Sequence, residues 1–123
     1  MITDIKIANV YNDGTIETGY GSSIYSSNSM YLRPKITYTG VRDGESITLY
    51  ARLYGSSGTL QTGSSSPNGY TFSNSMTISS GGGNTYDLPG WGSSNKGNWS
   101  RGSYRYEIWY GNVCLKSKSF TIH

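Results

Sequence analysis

The stretch "SYRYEIWYGNVCLKSKSFTIH", Ser103–His123, decides the fold class. Its first half alternates with period two, setting Tyr106, Ile108 and Tyr110 on one face of a strand and Arg105, Glu107 and Trp109 on the other. Gly111-Asn112 supplies a two-residue turn, and a second alternating run follows. With Tyr110 opposite Val113, Ile108 faces Leu115 and Glu107 faces Lys116, an opposite-charge cross-strand pair. Phe120 and Ile122 then have the parity of Cys114 and Lys116. Keeping them in the core predicts a one-residue β-bulge between Lys116 and Phe120.

The same period recurs upstream. In "MYLRPKITY", residues 30–38, Met30, Leu32, Ile36 and Tyr38 point inward, while Pro34 lacks a ladder donor and predicts an edge strand or a bulge. In "ITLYARLY", residues 47–54, Ile47, Leu49, Ala51 and Leu53 share the inner face, and Thr48, Tyr50, Arg52 and Tyr54 the outer one. Shorter strands are expected at "SMTIS", with Met76 and Ile78 inward, and at "TYDL", around Tyr86 and Leu88. Near the N-terminus, Asp13-Gly14 suits a tight turn, so Ile2 to Tyr20 is read as an opening hairpin arm. The uncharged, serine-rich "GSSIYSSNS", residues 21–29, connects it to the body. The domain reading is therefore a β arm with its connection over residues 1–29 and a sandwich over residues 30–123.

Composition agrees. A chain of 123 residues fits one domain with one modest core. Ile, Leu, Val and Phe are sparse, but 12 tyrosines and three tryptophans supply large buriable areas, and a net charge of +3 opposes collapse only weakly. Alanine is almost absent, glycine occurs 17 times, and no window carries apolar residues at helical spacing, so the class is all-β. The single cysteine, Cys114, excludes an internal disulfide. The basic residues are scattered, which makes nucleic acid a poorly supported partner. No apolar stretch reaches membrane-spanning length and the first residues lack the pattern of a secretory leader. A soluble chain without membrane insertion is expected, with its compartment open.

From about Leu32 onward, the strand order and the "GSY" opening of the penultimate strand resemble immunoglobulin-like and fibronectin-III-like sandwiches. "GWG", "GSYRYEIWY" and "CLKSKSFTI" are similar to small accessory domains near the C-terminal ends of bacterial multidomain proteins. The resemblance implies a two-sheet sandwich of about seven strands, preceded here by the N-terminal strand or hairpin arm. It also implies a corner tyrosine at Tyr104 with Gly102 two places before it, and no catalytic role. The Cys…Trp…Cys signature of antibody domains is missing.

Catalytic chemistry finds little support. The one histidine is His123, the last residue, so a nucleophile has no evident base, and Cys114 reads as a small strand residue. The carboxylates form no recognisable pair, and Asp43 with Glu45, or Asn12 with Asp13, lack the ligand density of a calcium loop. Gly81-Gly82-Gly83 lacks the lysine and helix of a phosphate loop and reads as a flexible turn. A non-enzymatic domain without metal or cofactor is expected.

What remains is recognition. Tyr50, Arg52 and Tyr54, in one sheet with Arg105, Trp109, Lys116 and Lys118, make an aromatic and basic outer face of interface-type residues. The loop "GWGSSNKGNWSRGSY", residues 90–104, offers Trp91, Asn95 and Trp99 as an alternative. Its indoles are either platforms or plugs, and a poorly aliphatic core favours plugs. The first reading is an accessory module that makes protein contacts or spaces another domain. The second is a carbohydrate-binding module whose rings stack on sugar beside amides such as Asn95 and Asn112.

Overall fold

A computed structural model describes residues 1–123 as two antiparallel sheets that form a sandwich. The strands are β1 (Ile2–Val10), β2 (Tyr31–Gly40), β3 (Ser46–Tyr54), β4 (Phe72–Thr77), β5 (Gly81–Asp87), β6 (Trp91–Gly92), β7 (Gly102–Tyr110) and β8 (Val113–Ile122). One sheet has the order β1-β2-β5, with the short β6 continuing along β2; the other has the order β4-β3-β7-β8. There is no α-helix, only a 3-10 turn at Ser26–Asn28.

The inward positions of the alternating runs meet between the sheets. Leu32, Ile36 and Tyr38 of β2 pack against Leu49, Ala51 and Leu53 of β3 and Tyr104, Tyr106 and Ile108 of β7 in one apolar cluster. Tyrosine serves this core because its hydroxyl finds a partner at the edge of the layer. Tyr106 is fully buried and donates to the Leu32 carbonyl at 2.6 Å.

The N-terminal segment does not stand apart as an arm. β1 runs antiparallel along β2 from Ile2 opposite Tyr38 to Val10 opposite Tyr31, and Ile2, Ile5 and Ile7 join the common core. The Asp13-Gly14 turn does form, with Gly14 at φ +87° and Asp13 Oδ1 accepting the Thr15 N–H at 3.0 Å. The returning chain then makes a single bridge, Val10 to Ile16, because "TIETGY" offers one aliphatic side chain where "IKIANV" offers several. Residues after the turn are fastened through Tyr20, whose ring lies under the Lys35 ammonium at 4.4 Å.

Pro34 was expected at an edge or a bulge, yet β2 is the central strand. The Pro34 carbonyl accepts the Leu88 N–H at 3.0 Å, and within a strand the nitrogen and carbonyl of one residue point the same way. The missing donor therefore faces the chain between β5 and β6, where Leu88-Pro89-Gly90 interrupts the ladder. A central strand tolerates proline there. Gly81-Gly82-Gly83, read above as a flexible turn, instead opens β5 opposite the end of β2, with a register shift between Tyr38 and Gly40.

The final hairpin contains its bulge, but not where parity alone placed it. Tyr110 faces Val113 as expected; then Trp109 faces Cys114 and Ile108 faces Lys116, so Leu115 is the extra residue. Beyond the bulge Glu107 faces Ser117 and Tyr106 faces Lys118. The expected Glu107–Lys116 pair is not formed. Directly paired residues share a face, so Lys116 and Lys118 project on the core side of β8, where the opposite sheet leaves them exposed.

The chain begins and finishes at opposite ends of the sandwich. The Met1 ammonium donates to the Thr39 carbonyl at 2.8 Å, beside the β2–β3 connection. At the other end Ile24 bridges Ile122 in parallel, and the Ser26 N–H donates to the His123 carbonyl at 2.7 Å.

Candidate functional site

β3 and β7 pair side by side, with Tyr50 opposite Trp109, Arg52 opposite Glu107 and Tyr54 opposite Arg105. Their odd-even phase buries Leu53, Tyr106 and Ile108, so these six outer residues form one continuous strip. Its centre is a stacked cation. The Arg52 guanidinium lies 4.4 Å from the Trp109 ring centre and 4.7 Å from that of Tyr70, while its Nε donates to the Gly69 carbonyl at 2.9 Å. Tyr70 in turn packs on Tyr50, with ring centres 4.9 Å apart.

The strip continues through Glu107, which accepts the Trp109 indole N–H at 3.1 Å and pairs with Arg105 Nε at 3.1 Å. The Arg105 guanidinium then sits 4.5 Å from the Tyr54 ring centre. Aromatic and charged groups thus alternate without a gap, and each planar side chain is held by its neighbours. Such pre-ordering lowers the entropy lost on binding.

Of the residues expected here, Tyr50, Arg52, Tyr54, Arg105 and Trp109 come together; Lys116 and Lys118 do not, because the bulge turns them to the other face. Tyr70 was missed. It lies in the loop between β3 and β4, in "NGYTF", and no periodicity marks a loop residue that folds back onto a sheet. Cys114 takes the outward place beside Trp109, and desolvation, aided by the Glu107 charge, pushes its thiol pKa up, which disfavours the reactive thiolate.

The tryptophan-bearing loop lies at the end of the sandwich where β3 finishes and β7 starts. Trp99 is buried, its indole N–H donating to the Met30 carbonyl at 2.9 Å and its ring meeting Tyr104 edge-on. It is a plug. Tyr104 donates its hydroxyl to the Ser100 carbonyl at 2.6 Å, back across the turn that leads into β7. Gly102 is required there: its φ is +149°, and an added Cβ would lie 2.6 Å from the Ser56 Cβ.

Trp91 is only half-buried. It stacks on Phe72 at an interplanar angle of 20° and forms a wall of a cleft of about 350 Å³. Gln61, Ser56, Ser93 and Asn98 line the same cleft, over a floor of Gly92, Trp99 and Tyr104. Asn95, expected with the tryptophans, is exposed outside it; Asn98 takes that place. Asn112 sits in the hairpin turn at the far end of β7.

The acids weighed for calcium serve in turns. Asp43 Oδ1 accepts the Ser80 N–H at 3.2 Å, and the Asp13 carboxylate, bound by both the N–H and hydroxyl of Thr15, has its pKa lowered. No family model matches the chain, and no curated protein or solved structure matches it either.

Proposed function

We propose that the chain is a non-catalytic, immunoglobulin-like accessory module that contacts a protein partner through the outer face of β3 and β7. The strand order supports the class. If β1, β2 and β5 are strands A, B and E, then β4-β3-β7-β8 reads C′-C-F-G, and the corner tyrosine falls near the start of F where the class has it. The observation that carries the contact is the Trp109–Arg52–Tyr70 stack. Trp, Tyr and Arg are the residue types that dominate interface energetics, and here they are fixed in place before a partner arrives. The rings are mutually inclined, 42° between Tyr50 and Tyr70 and 68° between Tyr70 and Trp109, which suits an irregular protein surface better than a flat sugar.

The test compares the natural chain with Trp109→Ala and Arg52→Ala as baits for proteins of the source cell, followed by titration with each purified captured protein. A partner of this face binds the natural chain and loses at least roughly a hundredfold in affinity with Trp109→Ala, while both baits keep dispersed amide spectra. Equal affinity for bait and variant would remove the reading.

A further inference from the structure

Beyond that face, we infer that the Trp91 cleft is a second and separate binding site, built for a neutral saccharide. The first argument is chemical. The cleft presents an indole wall and a ring of amides and hydroxyls, and its lining holds no carboxylate, ammonium or guanidinium. An indole face, negative in its quadrupole, accepts the positively polarised C–H face of a sugar ring. Uncharged donors and acceptors beside it match hydroxyls without demanding a counter-charge. A charged ligand would find nothing there to offset its desolvation.

The second argument concerns which polar groups are free. Part of the lining is used by the protein itself: Trp99 Nε1 donates to the Met30 carbonyl, the Tyr104 hydroxyl to the Ser100 carbonyl and the Gln61 amide to the Thr59 carbonyl, the Ser93 hydroxyl accepts the Asn95 N–H, and the Ser57 and Thr59 hydroxyls bond each other. The Trp91 indole N–H, the Ser56 hydroxyl and the Asn98 side-chain amide enter no such bond, and all three residues line the cleft. They remain available to a ligand.

The third argument is that the space is built by the backbone. An added Cβ on Gly92 would lie 1.8 Å from the Met30 carbonyl oxygen and 3.1 Å from Trp99 Nε1, so the floor requires glycine. Gly63 brings the β3–β4 loop against Trp91, with the indole 3.1 Å from where a Cβ would stand. Phe72 stacks on the same ring. The wall is therefore fixed in orientation, and about 350 Å³ falls within the small-ligand range of roughly 300–1,000 Å³.

The experiment uses the whole chain. Amide and indole NMR spectra are recorded during separate additions of cellotetraose, xylotetraose, maltotetraose and triacetylchitotriose, each to about 10 mM, which detects complexes weaker than millimolar. At least one neutral saccharide should shift the Trp91 indole signal saturably and leave that of Trp109 in place. Asn98→Ala, a change on an exposed loop residue, should weaken that affinity about tenfold, the effect of one lost hydrogen bond, and Trp91→Phe should weaken it while preserving the fold. The inference is overturned if no saccharide moves Trp91, if Trp109 carries the shift, or if Asn98→Ala binds as the natural chain does. Because the β3–β7 face reports through Trp109, failure of either site leaves the other's result readable.

Discussion

Tyr106 shows what one phenol does in a core short of aliphatic side chains. Its ring is surrounded by apolar residues and its hydroxyl satisfies the Leu32 carbonyl across the two sheets. Burial pushes its pKa far above the ordinary 10.0. The folded chain therefore holds this proton at pH values where the unfolded chain releases it. Stability from this group is full below pH 10 and declines above it, by about 1.4 kcal/mol per pH unit. Tyr106→Phe should cost about 1–3 kcal/mol at neutral pH, because it removes the hydroxyl that bonds the buried Leu32 carbonyl, and should flatten part of the alkaline decline. Urea midpoints measured for both chains from neutral to alkaline pH check this; parallel pH curves would contradict it. Inward tyrosines were legible from parity alone. Asn9 was not: it is 1 % exposed, its amide bonding Glu17 and Asn28 and its Oδ1 accepting the Met30 N–H at 2.7 Å. An asparagine in a strand pattern reads as solvent-facing, and only the folded connection reveals its partners.

At the scale of elements, the hairpin β7–β8 marks how far period-two reasoning carries. Parity demanded one extra residue in β8, and one is there. Its position was illegible because the expectation assumed a core reaching the hairpin tip, whereas Tyr110 and Val113 stand half-exposed beyond the opposite sheet. With the bulge at Leu115, Lys116 and Lys118 project inward along an edge strand. Charges so placed deny a second strand a comfortable seat. Replacing both with valine should therefore leave the monomer folded but make it associate, seen as concentration-dependent sedimentation or light scattering, while Lys→Val changes at outward sites should not. A double variant that stays monomeric at all concentrations would show that the lysines serve no such purpose. Proline in β2 teaches the converse: its strand was read as an edge or as bulged there, and the interruption that admits it is a break in the neighbouring strand, which sequence spacing does not display.

For the molecule as a whole, the all-β sandwich was legible because alternation appears in nearly every strand that builds the core. The boundary at residue 30 was read from a serine-rich connection, which resembles a linker whether or not the chain before it packs. β1 supplies Ile2, Ile5, Ile7, Ala8 and Val10 to buried positions, and it neighbours β8 across the sandwich. Removing residues 1–10 should consequently unfold the whole domain rather than trim an appendage. Loss of amide dispersion and of a cooperative thermal transition would show it; a folded remainder would restore the arm. Of the sites, the β3–β7 strip was legible save for Tyr70, which was missed, and for Lys116 and Lys118, which the bulge removes from it, and the cleft was half-seen through its tryptophans.

Met1 and His123 lie at opposite ends, and both terminal strands run along the long direction of the sandwich. Tension applied between the two termini is therefore directed along β1 and β8. Each terminal strand must slide past its partner, β2 or β7, with many ladder bonds strained together rather than opened singly. Loading in this direction meets the ladders in shear and leaves the β3–β7 face on the flank of the pulled axis.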